Sequence, residues 1–224
     1  MDPGMNQLLK WSIENSVPSD PNAPPPAPSR TLDMETLKAL MGGPSDAELM
    51  KESMAAIQNP DITLENKLIA FDNLEQLIES IDNANNLENL GLWTPLIEQL
   101  VNDEAELRTM AAWCVGTAVQ NNIKAQERAL IMGAIPVLVK MSINDLQEAP
   151  RRKAVYALSS AVRNYQPGLD DAQKAVSDEI GPATDEGESA EGPYEVKIDA
   201  CDMEAVTKLM DRIRTVGRER AAVL

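Results

Sequence analysis

The chain has 224 residues, room for one sizeable domain with tails or a short stack of helical repeats, but not for two ample domains. Its 36 acidic residues against 20 basic ones give a net charge of -16, which repels phosphate backbones and anionic headgroups and argues against nucleic-acid and membrane partners. With one Phe, three Tyr and three Trp, the apolar content falls to Leu, Ile, Ala, Val and Met, which favours an all-α fold over a sheet.

In chain order, Met5, Leu8, Leu9 and Ile13 fall on one face of a short amphipathic helix with Trp11 at its edge. The prolines from Pro18 to Pro28 then enforce an extended linker. Residues 1–30 are therefore expected to be a flexible N-terminal segment. Two readings of it stand: a tethered binding peptide, or a helix docked as a cap on the repeats. A repeat domain is expected over 31–216 and a frayed tail over 217–224.

Within that domain, a helix over Leu32–Met41 stops at Gly42-Gly43-Pro44, and another over Asp46–Gln58 opens with Ser45 and Glu48 as a capping box. Thr63 caps a long helix on which Leu64, Leu68, Phe71, Leu74, Ile78 and Ile81 recur at helical spacing. From there the chain repeats itself. One unit runs from a long helix through a short one near Asn85–Leu90 to Gly91-Leu92-Trp93-Thr94-Pro95; the next runs from Leu107–Gln120 through Lys124–Met132 to Gly133-Ala134-Ile135-Pro136. The two glycines lie about 42 residues apart, an armadillo-like period. Gly133 suits a left-handed helix end and Pro136 the first turn of the next helix, while Ile135 is expected in the core.

A third unit opens at Arg151, where Ala154 and Tyr156 echo Ala111 and Trp113. Small alanines let helices approach, and Trp113 is expected to fill the core between repeats. After Asn164 the repeat's turn is expected to be missing, with an acidic loop over about 181–192 in its place. Asp199 is expected to cap a closing helix that carries Met203, Val206, Leu209, Met210, Ile213 and Val216.

The residues offer no chemistry. There is no His, which removes the commonest general base and metal ligand. Cys114 and Cys201 have no metal-ligand or disulfide spacing, Cys114 reading as a buried hydrophobe and the pair fitting a reducing compartment. Gly42-Gly43-Pro44-Ser45 lacks the lysine of a phosphate loop, and Asp185-Glu186-Gly187-Glu188 lacks calcium-loop spacing. Apolar runs are too short to span a bilayer, and the N-terminus has no secretory pattern. The expectation is a cytoplasmic, non-enzymatic, monomeric binding protein with no cofactor and no metal, its partner held on the concave face of a solenoid.

Three stretches carry a resemblance: Asn6-Gln7-Leu8-Leu9-Lys10-Trp11-Ser12-Ile13 at the start, Glu79-Ser80-Ile81-Asp82-Asn83-Ala84-Asn85-Asn86 leading to Gly91, and Arg108–Asn122 with Ala111-Ala112-Trp113. Together they resemble the fungal Fes-type and animal Hsp-binding-protein family of armadillo nucleotide exchange factors. The resemblance implies a stack that embraces one lobe of the ATPase domain of a DnaK-class heat-shock chaperone so that ADP leaves. It also implies an N-terminal segment that helps expel chaperone substrate. The candidate partner-binding residues are Leu8, Leu9, Trp11 and Ile13 in that segment, and Glu98, Lys140 and Arg163 in the repeats. The alternative is a general armadillo adaptor that reads an extended peptide through a Trp-x-x-x-Asn ladder; neither Trp93 nor Trp113 has Asn four residues on.

Overall fold

The long apolar periods of the sequence close into helices packed in parallel rows. In the computed structural model, residues 43–181 and 197–223 are described. The chain divides into two units, residues 1–45 and 46–224, and the described helices belong to the second. They are α1 (Asp46–Gln58), α2 (Leu64–Ile78), α3 (Ile81–Asn89), α4 (Trp93–Glu98, continued by a 3-10 turn over Gln99–Val101), α5 (Ala105–Val119), α6 (Ile123–Ile131), α7 (Ala134–Asn144), α8 (Glu148–Val162), α9 (Gln166–Ile180) and α10 (Met203–Val223). The fold is all-α, an armadillo-like helical-repeat stack. Among the described residues three repeats follow α1, each a long helix, a second helix and a third: α2-α3-α4, α5-α6-α7 and α8-α9-α10.

The long helices α2, α5 and α8 lie side by side, and the third helices α7 and α10 pack in a second row behind them. Alanines make this close stacking possible: Ala111, Ala112, Ala154, Ala157 and Ala161 are wholly buried between rows. Phe71, Leu74, Leu96, Ile135, Leu138 and Leu158 fill the remaining space, each fully buried. Burial of this kind contributes roughly 1.5–3 kcal/mol per large side chain.

Turn chemistry recurs at matching places. Gly91 and Gly133 take left-handed backbone (φ 67 and 73), which ends α3 and α6 as the glycine spacing predicts. Thr63 accepts the Asn66 N–H at 3.4 Å and caps α2. Asn121 and Asn164, equivalent residues of successive repeats, both sit in left-handed backbone (φ 52 and 57), a conformation Asn tolerates better than most.

The structure corrects several expectations from the sequence. The sequence reading passes from Asn164 straight to the acidic loop, whereas the chain continues from the Asn164 turn into α9, a helix that reading omits. The helix starts at Gln166-Pro167-Gly168, where a proline in the first turn needs no N–H partner. A Cβ on Gly168 would stand 3.1 Å from the Ala161 carbonyl, so glycine fits the close approach to α8. Residues 182–192 of the acidic loop lie outside the described residues. The long helix before Gly91 stops at Ile78: Ser80 is extended (ψ 126), and Ile81 starts α3 with 59% exposure instead of ending α2 in the core. Asp202, not Asp199, caps α10, its Oδ1 accepting the N–H groups of Glu204 and Ala205 at 3.0 Å each. Asp199 instead accepts the Cys201 N–H in the preceding turn. Helix α10 also continues through Val223, so 217–223 are helical where a frayed tail is expected. The reason is packing: Gly217 is buried, with the Ser142 carbonyl 2.5 Å from where its Cβ would stand.

Polar ties fix the spacing of repeats. The Gln126 side chain, buried on α6, donates to the carbonyls of Ser160 and Arg163 at 2.9 and 3.0 Å and so caps the end of α8. Arg108 at the start of α5 donates from Nε and Nη2 to the two carboxylate oxygens of Asp145 at 2.7 and 3.0 Å. That hydrogen bond holds the Arg108 guanidinium above its ordinary pKa, with burial working against it. The Asp145 side chain is only 5% exposed. Removing its partner would therefore strand a desolvated charge, and Arg108→Ala is expected to cost about 2–3 kcal/mol in urea unfolding. The double change with Asp145→Asn should recover part of that loss; if it cost the full sum of the single changes, the pair would carry no coupling.

Candidate functional site

The row of long helices presents a face that is neither fully packed nor purely solvated. Trp113 on α5 is half-buried, which corrects its expected place in the core. The repeat pattern points it to the core, where its neighbours Ala111, Ala112 and Cys114 are indeed buried. The Trp113 ring instead lies under a cation from the next repeat. Lys153 Nζ of α8 sits 3.4 Å from the Trp113 centroid and 5.6 Å from that of Tyr156. Such stacking contributes about 0.5–1 kcal/mol at exposed sites, and more as water is removed.

Gly116 brings α5 and α8 together at this point. A Cβ there would stand 2.4 Å from the Tyr156 ring, so only glycine leaves room for the tyrosine at this point. Its hydroxyl donates to Gln120 Oε1 at 3.4 Å. Toward the first repeat, the Thr117 hydroxyl donates to Glu75 Oε1 of α2 at 2.7 Å, and Glu75 is largely buried. Burial holds Lys153 below its ordinary pKa; Glu75 pulls it upward and Arg152 presses it down. A hollow of about 350 Å³ opens beside this cluster, lined by Thr109, Ala149, Arg152, Lys153 and Tyr156. The arrangement offers two aromatic faces, two cations and preorganised hydrogen-bonding groups on rigid helices, as a protein-binding surface requires. It offers no nucleophile: Cys114 is fully buried, burial pushes its thiol pKa up, and its Sγ points to the Phe71 carbonyl at 3.8 Å.

The residues singled out from sequence fall elsewhere. Leu8, Leu9, Trp11 and Ile13 lie outside the described residues. Glu98 and Lys140 are exposed at equivalent positions of α4 and α7, in the row of third helices. Arg163 ends α8, where it donates to Ser159 Oγ, Met203 Sδ and Thr207 Oγ1 and ties α8 to α10. These three are not brought together with the Trp113 cluster. Lys153, Arg152 and Glu75 were missed. The one available signal was the repeat echo of Trp113 in Tyr156, which places an aromatic of each repeat at the same register. No helix among the described residues is long and apolar enough to cross a membrane.

Comparison with known proteins assigns the chain. The family model "Nucleotide exchange factor Fes1" matches residues 5–87, and that of the SIL1/FES1/HPBP1 C-terminal domain matches residues 83–175. A protein of Gibberella zeae named Hsp70 nucleotide exchange factor FES1 is 52% identical over 219 residues, covering 95% of this chain and 96% of its own. Proteins of the same name from Coccidioides immitis and Neurospora crassa are 48% and 47% identical, with 96% and 97% of this chain and 99% of each relative covered. Among solved structures, an engineered protein of the Northeast Structural Genomics Consortium superposes with a TM-score of 0.52 at 17% identity, over 83% of this chain and 67% of its own, a likeness of fold alone. By its identity to these fungal proteins along nearly its whole length, the chain belongs to the Fes1 family of nucleotide exchange factors.

Proposed function

We propose that the chain is a nucleotide exchange factor for a cytoplasmic Hsp70, a DnaK-class chaperone, and acts as a monomer by binding alone, without nucleic acid, membrane, metal or cofactor. The observation that carries this reading is the Trp113–Lys153–Tyr156 cluster on the row of long helices: aromatic and cationic anchors, half-exposed and held rigid, are where interfaces concentrate their energy. The family supplies the partner. The face seats on one lobe of the chaperone's ATPase domain and favours an arrangement that does not close over ADP. By linkage, ADP and this protein then weaken each other's binding to the chaperone.

The N-terminal segment adds a second part. Leu8, Leu9, Trp11 and Ile13, tethered by the linker that ends at Pro28, compete for the chaperone's substrate groove while the repeats hold the ATPase domain. In the repeats, the exposed Glu98 and Lys140 and the half-buried Arg163 make further contacts with the chaperone, apart from the main face. Deletion of residues 1–30 tests the division of labour. The truncated protein should keep its melting temperature and its acceleration of ADP release, and lose acceleration of substrate release. A lowered melting temperature would make the segment a cap on the stack, and loss of ADP release would place the main contact in the segment.

A further inference from the structure

Two arginines at one register of successive repeats are held differently. Arg108 of α5 and Arg151 of α8 each send Nη1 to the carbonyl six residues upstream, Asn102 O at 2.8 Å and Asp145 O at 2.7 Å. The rest of the Arg108 fork is filled by the segment that joins α7 to α8, through the two bonds to the Asp145 carboxylate. Arg151 belongs to the last of the three described repeats. Among the described residues no carboxylate forms an ion pair with it.

What stands beside Arg151 is positive. Gly217 lets α10 approach so closely that a Cβ there would lie 3.3 Å from Arg151 Cδ. From α10, Arg214 and Arg218 reach the same place, and with Arg151, Arg152, Ser142 and Glu148 they surround a cavity of about 90 Å³. The acids at hand are Glu148, exposed in the first turn of α8, and Asp211, which pairs with Arg214 at 2.6 Å. Arg152 and Arg218 are exposed and hold no ion pair among the described residues. Four guanidinium groups converging in a chain of net charge -16 is a local reversal of sign. An acidic molecule repelled by the rest of the surface is attracted there.

We propose that this end of the stack binds an acidic peptide segment of another protein, an Asp or Glu side chain of which takes at Arg151 the place that Asp145 takes at Arg108. The stack supplies its own template for the ligand: a carboxylate across the guanidinium fork, with two parallel N–H···O bonds, is the strong and directional form of this pairing. Arg152 and Arg218 at the rim steer the following acidic residues. Because Arg152 also lines the hollow beside Lys153, the site adjoins the exchange face, but it rests on the arginine geometry and not on the exchange reading.

The test uses the full chain and no chaperone, so its failure leaves the exchange reading untouched. Fluorescence anisotropy of a labelled hexaglutamate peptide is measured at low ionic strength, with hexaglutamine as control. Saturable binding of hexaglutamate alone is expected. Arg152→Ala with Arg218→Ala should weaken it about tenfold or more with the melting temperature unchanged. Arg151→Lys, which keeps the charge and loses the fork, should weaken it as well. Equal binding of both peptides, or hexaglutamate binding unmoved by the double substitution, would overturn the proposal. So would displacement by inorganic phosphate at matching concentration, which would make the cluster an unselective anion site. Binding that emerges only after Asp185, Glu186, Glu188 and Glu191 are changed to amides would assign the site to the chain's own acidic segment, and would overturn it too.

Discussion

Phe71→Ala is expected to lower the stability of the repeat stack by about 3–5 kcal/mol, the range for a large aromatic removed from a core. Phe71 is the one phenylalanine of the chain and is wholly buried in α2. Its carbonyl accepts from the Cys114 thiol of α5, so this turn of α2 lies where the first and second repeats meet. Alanine would leave a cavity that the alanine-rich helices around it, already in close contact, have little side chain to refill. In a stack each repeat is stabilised mainly by its neighbours, so the loss should extend beyond one helix. Urea unfolding followed by helicity reads the effect. A loss under about 1 kcal/mol would mean that the α2–α5 contact contributes little and that the second and third repeats stand without the first.

Trp113→Ala should separate binding from folding. Were the ring in the core, as its apolar neighbours in sequence suggest, truncation would cost about 3–5 kcal/mol of stability. Half-exposed and stacked under Lys153, it should cost about 1–2 kcal/mol, the lost packing and cation–π contact together. The larger effect is expected on affinity for the Hsp70 ATPase domain, a fall of about thirtyfold or more, as for an aromatic anchor near the centre of an interface. Tyr156→Ala should follow the same pattern more weakly. A Trp113→Ala protein that binds as tightly as the parent, with a stability loss in the upper range, would make the ring a filler between α5 and α8.

What the sequence made legible were features whose cause is local. Gly91 and Gly133 declare left-handed helix ends because few other residues adopt that backbone cheaply, and Thr63 declares a cap through its own hydroxyl. Ile135 is in the core because the third helix of a repeat is covered by its neighbours. The illegible features depend on chain far away. Periodicity alone carried the α2 pattern through Ser80 to Ile81, since it registers spacing and not the break in backbone between them. Helix α9 is not legible in Pro167-Gly168, where the glycine answers to Ala161 of α8 as well as to the Tyr165 ring beside it. The repeat pattern points Trp113 to the core, and only the place of α8 opens a hollow beside it. The Arg108–Asp145 pair joins residues 37 apart, and nothing in either segment announces the other. The site suffered most from this: Glu98 and Lys140 share a register with each other, but the face with aromatic anchors is made by a different row of helices.

Opening of the nucleotide site of a DnaK-class chaperone by this chain is measured most directly as the release rate of a fluorescent ADP analogue from Hsp70 chased with excess ATP. With saturating protein the rate should rise well above the intrinsic one and approach a plateau, and the Trp113→Ala variant should need a higher concentration to reach it. A release rate unchanged at saturating protein would contradict the exchange mechanism and leave the stack as a binding module without exchange activity.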